Sequence, residues 1–145
     1  MKRIDGGVTA PQGFKAASTA ANIKYEGRED MALIYSEEVC RVAGTFTSNV
    51  VKAAPVIWDR NIVEHNIGVQ AVVINSGIAN ACTSDEGIAI CLKTAQAVSS
   101  ALHIPYEGVL VASTGVIGMQ IPIDKIKNGI STMAPNLSYD RASAM

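Results

Sequence analysis

The sequence alternates predicted strands and predicted helices, an order that allows an α+β fold. Two segments carry this prediction. Residues 69–77, "VQAVVINSG", form a near-continuous apolar run typical of a strand buried on both faces. The residues after Thr83 combine an apolar stripe with a helix start signal. The chain has 145 residues, of which 48% are apolar and 17% charged, so it suits a single domain over residues 1–145 and is not a disordered segment.

Further strands are predicted on either side of these segments. Residues 14–25 and 31–38 predict a hairpin, because the polar residues 26–30 separate two apolar runs. Residues 43–49, "AGTFTSN", predict a third short strand. Residues 109–112, "VLVA", predict a buried strand that ends abruptly in a polar turn.

Three helices are predicted, over residues 54–65, from Thr83 to about residue 104, and from Pro122 to about Met133. In the second helix, Thr83 and Glu86 have the spacing of a capping box, in which each side chain satisfies a free backbone amide. The apolar stripe of this helix comprises Ile88, Leu92, Ala95, Val98 and Leu102. The stripe of the third helix comprises Ile123, Ile126 and Ile130.

The last residues, "LSYDRASAM", predict the start of one more helix with Ser138 as its N-cap. Only about two turns would follow, and so short a helix has little reason to form alone. We therefore expect the chain to be a processed piece or a fragment. A frayed C-terminus is the alternative.

Composition narrows the class of protein. The net charge is -1, so nothing indicates a nucleic-acid or anionic membrane surface. No apolar run approaches the ~20 residues of a membrane span, and the N-terminus lacks the apolar core of a secretory signal. Cys40, Cys82 and Cys91 form neither a metal pattern nor a disulfide framework. These features favour a cytoplasmic protein with reduced thiols.

The turn Ser113-Thr114-Gly115 is the first candidate site. A strand that ends at a glycine leaves backbone amides unpaired, and a hydroxyl beside such an amide gives two convergent donors for the negative oxygen of a tetrahedral acyl intermediate. A nucleophilic hydroxyl would need a base, and neither His65 nor His103 belongs to a local nucleophile motif. An ordinary turn is the alternative, with Thr114 bonded to its own backbone and Gly115 at positive φ.

Residues 75–87, "NSGIANACTSDEG", are the second candidate. The segment follows a strand and opens a helix, so its amides could bind an anion, with Asn75 and Asn80 as ligand groups. It matches neither the dinucleotide nor the P-loop glycine spacing. Tight packing of backbone against backbone is the alternative that small residues permit.

Three other residues have simpler interpretations. Cys82 lies near a helix start, where a thiol pKa is lowered, but it has no histidine nearby in sequence and is favoured as a small buried residue. Cys91 lies beside the helix stripe and is predicted in the core. Glu64-His65 lacks the second histidine that a metal motif would require.

Four motifs together resemble one family, the ornithine acetyltransferases (glutamate N-acetyltransferases) of arginine biosynthesis. They are "GGVTAPQGFKAA", "TFTSNVVKAAPV", "VVINSGIANACTSDEG" and "VLVASTGVIGMQIPIDKI". They occur in the family's order and span nearly the whole chain. Ile78, Ser84 and Ser18 depart from the residues usual in the family at these positions, but none of them removes the donors at 114 and 115.

The resemblance implies a fold and a reaction. The fold is α+β, with stacked β-sheets flanked by helices, as in self-processing aminopeptidases, and it is incomplete without a C-terminal chain. A precursor cuts itself before a threonine into α and β chains. That threonine takes acetyl from N-acetylornithine and passes it to glutamate, and some members also accept acetyl-CoA. The family's oxyanion hole falls on Thr114 and Gly115.

The resemblance also implies what this chain lacks. The nucleophile and the substrate-binding threonine and lysine are expected beyond Met145, so the chain is expected to be a truncated α chain that is inactive alone. Its partner would be the β chain in an α2β2 assembly, with no metal or organic cofactor. A self-processing aminopeptidase or amidase of the same fold, and a non-enzymatic small-ligand binding module, are the alternatives.

Overall fold

The computed structural model describes residues 6–140. They form four strands and three α-helices. The strands are β1 (Phe14–Thr19), β2 (Met31–Cys40), β3 (Val69–Asn75) and β4 (Val109–Ser113). The helices are α1 (Ala54–Glu64) between β2 and β3, α2 (Ser84–Leu102) between β3 and β4, and α3 (Ile123–Met133) after β4. Two short 3-10 turns, Tyr106–Gly108 and Ala134–Asn136, precede β4 and follow α3.

The four strands form one mixed sheet in the order β1-β2-β3-β4. The first two pairs are antiparallel, and β3 and β4 are parallel because α2 crosses between them. In the register, Asn75 at the end of β3 lies opposite Met31 on one side and Ser113 on the other. The ends of β3 and β4 and the start of β2 therefore meet at one edge of the sheet.

All three helices contribute to the core on one face of the sheet. Leu33, Val73 and Val111 are direct cross-strand neighbours, and all three are buried in the main apolar cluster. Residues of α1, α2 and α3 belong to the same cluster, including Ala54, Ala95 and Ile130. Layers of helix against sheet confirm the α+β prediction.

The opposite face of the sheet is less covered. Along β3, Val69, Ala71 and Val73 are buried while the residues between them are only half-buried. The prediction of a strand buried on both faces is therefore wrong for β3 within the described residues. The described residues form a single sheet, and its packing against a second sheet remains a prediction.

Most predicted elements are confirmed, with one exception in the first half. The hairpin, α1, β3, β4 and the end of α3 at Met133 are confirmed, although the first strand of the hairpin ends at Thr19 and not at residue 25 as predicted. Residues 43–49 form no strand. The Thr47 hydroxyl accepts a hydrogen bond from the Asn49 amide, and the Asn49 side chain accepts one from the Val51 amide. These local side-chain bonds favour turns over pairing with another strand.

The start of α2 also differs from the prediction. Thr83 is the N-cap residue, but its hydroxyl donates to Asn80 Oδ1 at 2.7 Å and caps no helix amide. The Glu86 carboxylate accepts from Gln120 Nε2 at 2.9 Å, so the capping box is not formed. The buried face of α2 comprises Gly87, Ile90, Cys91, Thr94, Ala95 and Val98. Ile88, Leu92 and Leu102 of the predicted stripe are only half-buried.

The predicted C-terminal helix is not formed up to Asp140. Ser138 pairs with Ala16 in an antiparallel bridge, with two backbone hydrogen bonds of 3.0 and 3.1 Å. Its hydroxyl accepts from the Asp140 amide in a local turn. The remaining residues of that prediction, 141–145, lie outside the described residues. Within residues 6–140, no helix has the length and apolar character needed to span a membrane.

Candidate active site

The turn after β4 runs beside the loop after β3. The Thr114 amide donates to Asn75 O at 3.0 Å, which extends the parallel pairing one residue past the strand. The Val116 amide then donates to Gly77 O at 3.1 Å, and Val116 O accepts from the Ala79 amide at 2.9 Å. These bonds hold residues 113–116 and 75–79 together as one backbone unit.

Gly115 is the point of closest approach between the two loops. Its φ is +131°, a conformation that side-chain-bearing residues rarely adopt. A Cβ there would overlap the Gly77 carbonyl and lie 2.6 Å from Ile78 N. Only glycine therefore fits, and the positive φ that the sequence predicts for an ordinary turn is confirmed.

Thr114 and Gly115 present two unused donors at this turn. Both residues are exposed. The Thr114 amide points inward to Asn75, whereas the Thr114 hydroxyl and the Gly115 amide have no hydrogen-bond partner among residues 6–140. We call these two groups the donor pair. In the described chain Thr114 does not bond its own backbone, so a hydroxyl and a neighbouring amide are both free to bind an acceptor.

The surface next to the donor pair is apolar. Val116, Ile117 and Met119 are exposed in the segment that continues from Gly115, and Ile117 is 62% exposed. A chemistry that places charge on an oxygen gains most from donors in surroundings that exclude water. These exposed apolar side chains directly follow the donor pair in the chain.

The second candidate, residues 75–87, is packed rather than open. Asn75 Nδ2 donates to Ile78 O at 2.9 Å, and Asn75 Oδ1 accepts from Ser113 Oγ at 2.6 Å. Asn80 Nδ2 donates to Gly87 O at 2.9 Å. Both asparagines are buried, so their side chains serve the fold and are not free ligand groups. The tight-packing alternative is the better description of this segment.

No cysteine or histidine in the described part of the chain is hydrogen-bonded to the donor pair. Burial raises the pKa of Cys91 to about 12, and the nearby Asp59 carboxylate adds to this shift, so its thiol is inert. Cys82 is exposed, contrary to its prediction as a small buried residue. His65 and His103 are the C-cap residues of α1 and α2, and neither is hydrogen-bonded to Thr114 within residues 6–140. Residues 6–140 hold no group of three or more His, Cys, Asp or Glu that could bind a metal.

The sequence analysis missed two side chains of α1 that hold β4. Trp58 Nε1 donates to Val109 O at 3.0 Å, and Asp59 Oδ1 accepts from the Val111 amide at 3.0 Å. Because β4 is the last strand of the sheet, these bonds satisfy an otherwise open edge. Burial raises the pKa of Asp59 to about 6, and the Val111 hydrogen bond partly opposes this shift. An aspartate beside Arg60 gives no sequence signal of burial.

Comparison with known proteins identifies the family. The sequence profile described as the ArgJ family matches residues 15–145. The chain belongs to the ArgJ family. It is 47% identical over 131 residues to the arginine biosynthesis bifunctional protein ArgJ of Thermotoga neapolitana, covering 90% of this chain and 33% of that protein. It is 45% identical over 149 residues to the ArgJ protein of Caldanaerobacter subterraneus, covering 100% and 36%. The chain thus spans about a third of the length of the curated ArgJ relatives it matches.

Solved ArgJ structures share the fold. An ornithine acetyltransferase of Mycobacterium tuberculosis, solved in complex with ornithine, matches with a TM-score of 0.88 and 42% identity, over 92% of this chain and 72% of that one. The ArgJ protein of Bacillus halodurans matches with a TM-score of 0.84 and 35% identity, over 94% and 71%. The family resemblance drawn from the four motifs is confirmed.

Proposed function

We propose that this chain is the N-terminal, α-chain domain of an acetyltransferase that moves acetyl from N-acetylornithine to glutamate. The curated relatives are named as bifunctional proteins of arginine biosynthesis, and one solved neighbour is an ornithine acetyltransferase complexed with ornithine. In the proposed reaction a threonine hydroxyl attacks the acetyl carbonyl, and ornithine leaves as the amine. The acetyl-threonine then transfers its acetyl group to the amine of glutamate.

This chain would contribute the oxyanion hole. When either nucleophile attacks, the carbonyl oxygen gains negative charge and the carbon becomes tetrahedral. The Thr114 hydroxyl and the Gly115 amide would donate to that oxygen. Fixed donors of this kind contribute about 3–4 kcal/mol each in well-studied cases. The observation that carries the proposal is the donor pair itself, two adjacent unused donors on a turn clamped to Gly77.

The rest of the active site would come from elsewhere in the protein. The nucleophilic threonine and the substrate-binding threonine and lysine are assigned to residues beyond Met145, with the β chain as partner in an α2β2 assembly. A comparison of lengths supports a divided protein. About nine tenths of this chain aligns with each of two proteins. The aligned part makes up 72% of the solved ornithine acetyltransferase chain but only 33% of the Thermotoga protein. The solved chain is therefore much shorter than the Thermotoga protein.

Acetyl would be carried on the enzyme, so the proposed reaction uses no metal or organic cofactor. Acetyl-CoA would act only as an additional donor substrate. A cytoplasmic location, expected from reduced thiols and a biosynthetic role, belongs to the same proposal.

The test is a Thr114→Ala change in the full-length, processed protein. We expect kcat for acetyl transfer to fall by about 100- to 1000-fold, since one oxyanion donor is lost. Thr114→Ser keeps the hydroxyl and is the matched control, with kcat near that of the parent. An unchanged kcat for Thr114→Ala would reject the oxyanion assignment. The same assay separates the hydrolase alternative, because an amidase would release free acetate where the proposed enzyme forms N-acetylglutamate.

A further inference from the structure

We propose that Asn75 and Ser113 are positioning residues that hold the donor pair in its working orientation. The proposal rests on the oxyanion role of Thr114 and Gly115. Neither Asn75 nor Ser113 would touch substrate. They would act through the turn that follows β4, by fixing the backbone on both sides of the donor pair.

The register of the sheet brings these residues together. Asn75 ends β3 and Ser113 ends β4, and the two are direct partners in the parallel pair. The Ser113 hydroxyl donates to Asn75 Oδ1 at 2.6 Å, while the backbone O of Asn75 accepts from the Thr114 amide at 3.0 Å. One residue therefore contacts both positions that lead into the turn, once through its side chain and once through its backbone.

The same asparagine also fixes the surface on which Gly115 lies. Asn75 Nδ2 donates to Ile78 O at 2.9 Å. Gly115 packs against the peptide that joins Gly77 to Ile78, so close that a Cβ would not fit. Asn75 thus bonds Ser113 through its oxygen and, through its nitrogen, the Ile78 carbonyl, one peptide beyond the Gly77–Ile78 peptide that Gly115 contacts.

Because the Asn75 side chain is buried, its hydrogen bonds to Ser113 and Ile78 are strongly favoured. Asn75 is 5% exposed, so its side-chain amide has little water to replace a lost partner. The network accommodates only one amide orientation, because the hydroxyl of Ser113 can donate to the oxygen and the carbonyl of Ile78 requires the nitrogen as donor. A rotated amide would place its oxygen against the Ile78 carbonyl and lose that bond, whereas the Ser113 hydroxyl can either donate or accept.

Position matters more than stability here, because an oxyanion donor acts only at the correct distance. A displacement of about 1 Å can cost on the order of 100-fold in rate. Ser113 is half-buried, and its hydroxyl makes a single bond to Asn75, while the backbone pairing of β4 with β3 does not depend on that bond. Removing the hydroxyl should therefore disturb the turn without unfolding the sheet.

The chain supplies a matched control. Asn80 is also buried, and its Oδ1 accepts from the Thr83 hydroxyl at 2.7 Å, but it holds the start of α2 and not the turn after β4. Thr83→Val removes a hydroxyl that donates to a buried asparagine, as Ser113→Ala does. A purely structural role for both hydroxyls predicts similar losses of stability and no selective loss of turnover.

The experiment measures kcat and KM for N-acetylornithine and glutamate with the full-length, processed enzyme. We expect Ser113→Ala to lower kcat by about 10-fold or more with little change in either KM, because the donors are misplaced when charge develops. Ser113→Thr restores a hydroxyl and should recover most of kcat. Thr83→Val should keep kcat near that of the parent.

A double-variant cycle tests whether Ser113 acts through Thr114. In the Thr114→Ala background, Ser113→Ala should cause a much smaller further loss than it causes alone, since the hydroxyl it positions is already absent. Full additivity, an unchanged kcat for Ser113→Ala, or an equal loss in Thr83→Val would overturn the positioning role while leaving a slow Thr114→Ala intact. If Thr114→Ala itself turns over normally, the proposed oxyanion role of Thr114 fails and the positioning role falls with it.

Discussion

Two buried asparagines, Asn75 and Asn80, have nearly the same pattern of hydrogen bonds but lie in different regions of the molecule. In each, Oδ1 accepts a hydrogen bond from a side-chain hydroxyl, and Nδ2 donates a hydrogen bond to a backbone carbonyl. Each backbone O also accepts an amide, from Thr114 in one case and from Ala54 in the other. The hydrogen bonds of these side chains alone therefore do not distinguish a functional region from a structural one.

The surroundings of the two asparagines differ. Around Asn80 the packing is closed: a Cβ at Gly87 would overlap the Thr83 hydroxyl and lie 2.7 Å from Asn80 Oδ1. Around Asn75 the backbone is equally tight, but the donor pair next to it is exposed and unused in residues 6–140. A rigid support beside unsatisfied donors is what preorganised catalysis requires, whereas a rigid support beside satisfied groups contributes only to stability.

The largest difference in kcat between variants of the two regions is expected when their glycines, Gly115 and Gly87, are replaced by alanine. Gly115→Ala places a Cβ in the Gly77 peptide at a φ of +131°, so it must displace the donor pair. We expect kcat to fall by at least about 100-fold. Gly87→Ala also overlaps a neighbour, the Thr83 hydroxyl, and should lower the unfolding temperature. Its folded fraction should turn over like the parent, and a comparable loss of kcat in both variants would contradict the distinction.

The next largest difference is expected from the asparagines themselves. Asn75→Ala and Asn80→Ala each leave buried partners unsatisfied, so each should lower the free energy of unfolding by about 1–3 kcal/mol. Chemical denaturation of the two full-length variants measures this loss. At a temperature where both are folded, only Asn75→Ala should show a reduced kcat. Equal kcat values in the two variants would show that the two networks are equivalent.

A smaller effect is expected from Asp59, which supports β4 along the edge that does not pair with β3. Its pKa is raised from 3.8 to about 6, so the folded state retains a proton that the unfolded state has already lost. The contribution of this group to stability therefore falls as pH rises from about 4 to about 6. Asp59→Asn keeps an oxygen that can accept from the Val111 amide and cannot titrate. As pH rises through this window, the unfolding temperature of the variant should increase relative to that of the parent. A difference in unfolding temperature that does not change with pH would contradict burial of the charge.

The smallest effect is expected from Cys91 in the Asn80 region. Asn80 Nδ2 lies 3.4 Å from its sulfur, and the thiol is fully buried. Cys91→Ala should cost about 1 kcal/mol of stability through a small cavity. kcat should remain within about two-fold of the parent, as for ordinary core changes away from a site. A large loss of turnover would place function in the region that we describe as structural.

Sequence patterns predicted the elements whose signals are local. The hairpin and α3 follow from apolar periodicity, and the turn at Thr114 follows from a strand that ends at a glycine. The capping box failed because Thr83 bonds a side chain three residues back instead of a helix amide. The predicted strand at 43–49 failed because Thr47 and Asn49 form local turns.

Local sequence patterns do not predict the long-range hydrogen bonds that hold the candidate site. Asn75 and Ser113 are 38 residues apart in sequence, and Asp59 and Val111 are 52 apart. Both contacts depend on the order and register of strands, which periodicity does not specify. An asparagine after an apolar run and an aspartate beside an arginine look the same whether they face solvent or join such a network.

The most direct test of the account is an infrared measurement on the proposed acetyl-enzyme of the full-length protein. With ¹³C-labelled acetyl from N-acetylornithine and no glutamate, the labelled carbonyl stretch reports the hydrogen bonds to its oxygen. We predict a lower frequency in the parent and in Thr114→Ser than in Thr114→Ala, because the hydroxyl and the Gly115 amide together polarise the carbonyl. The same frequency in the parent and in Thr114→Ala would contradict the central claim that this hydroxyl binds the reacting oxygen.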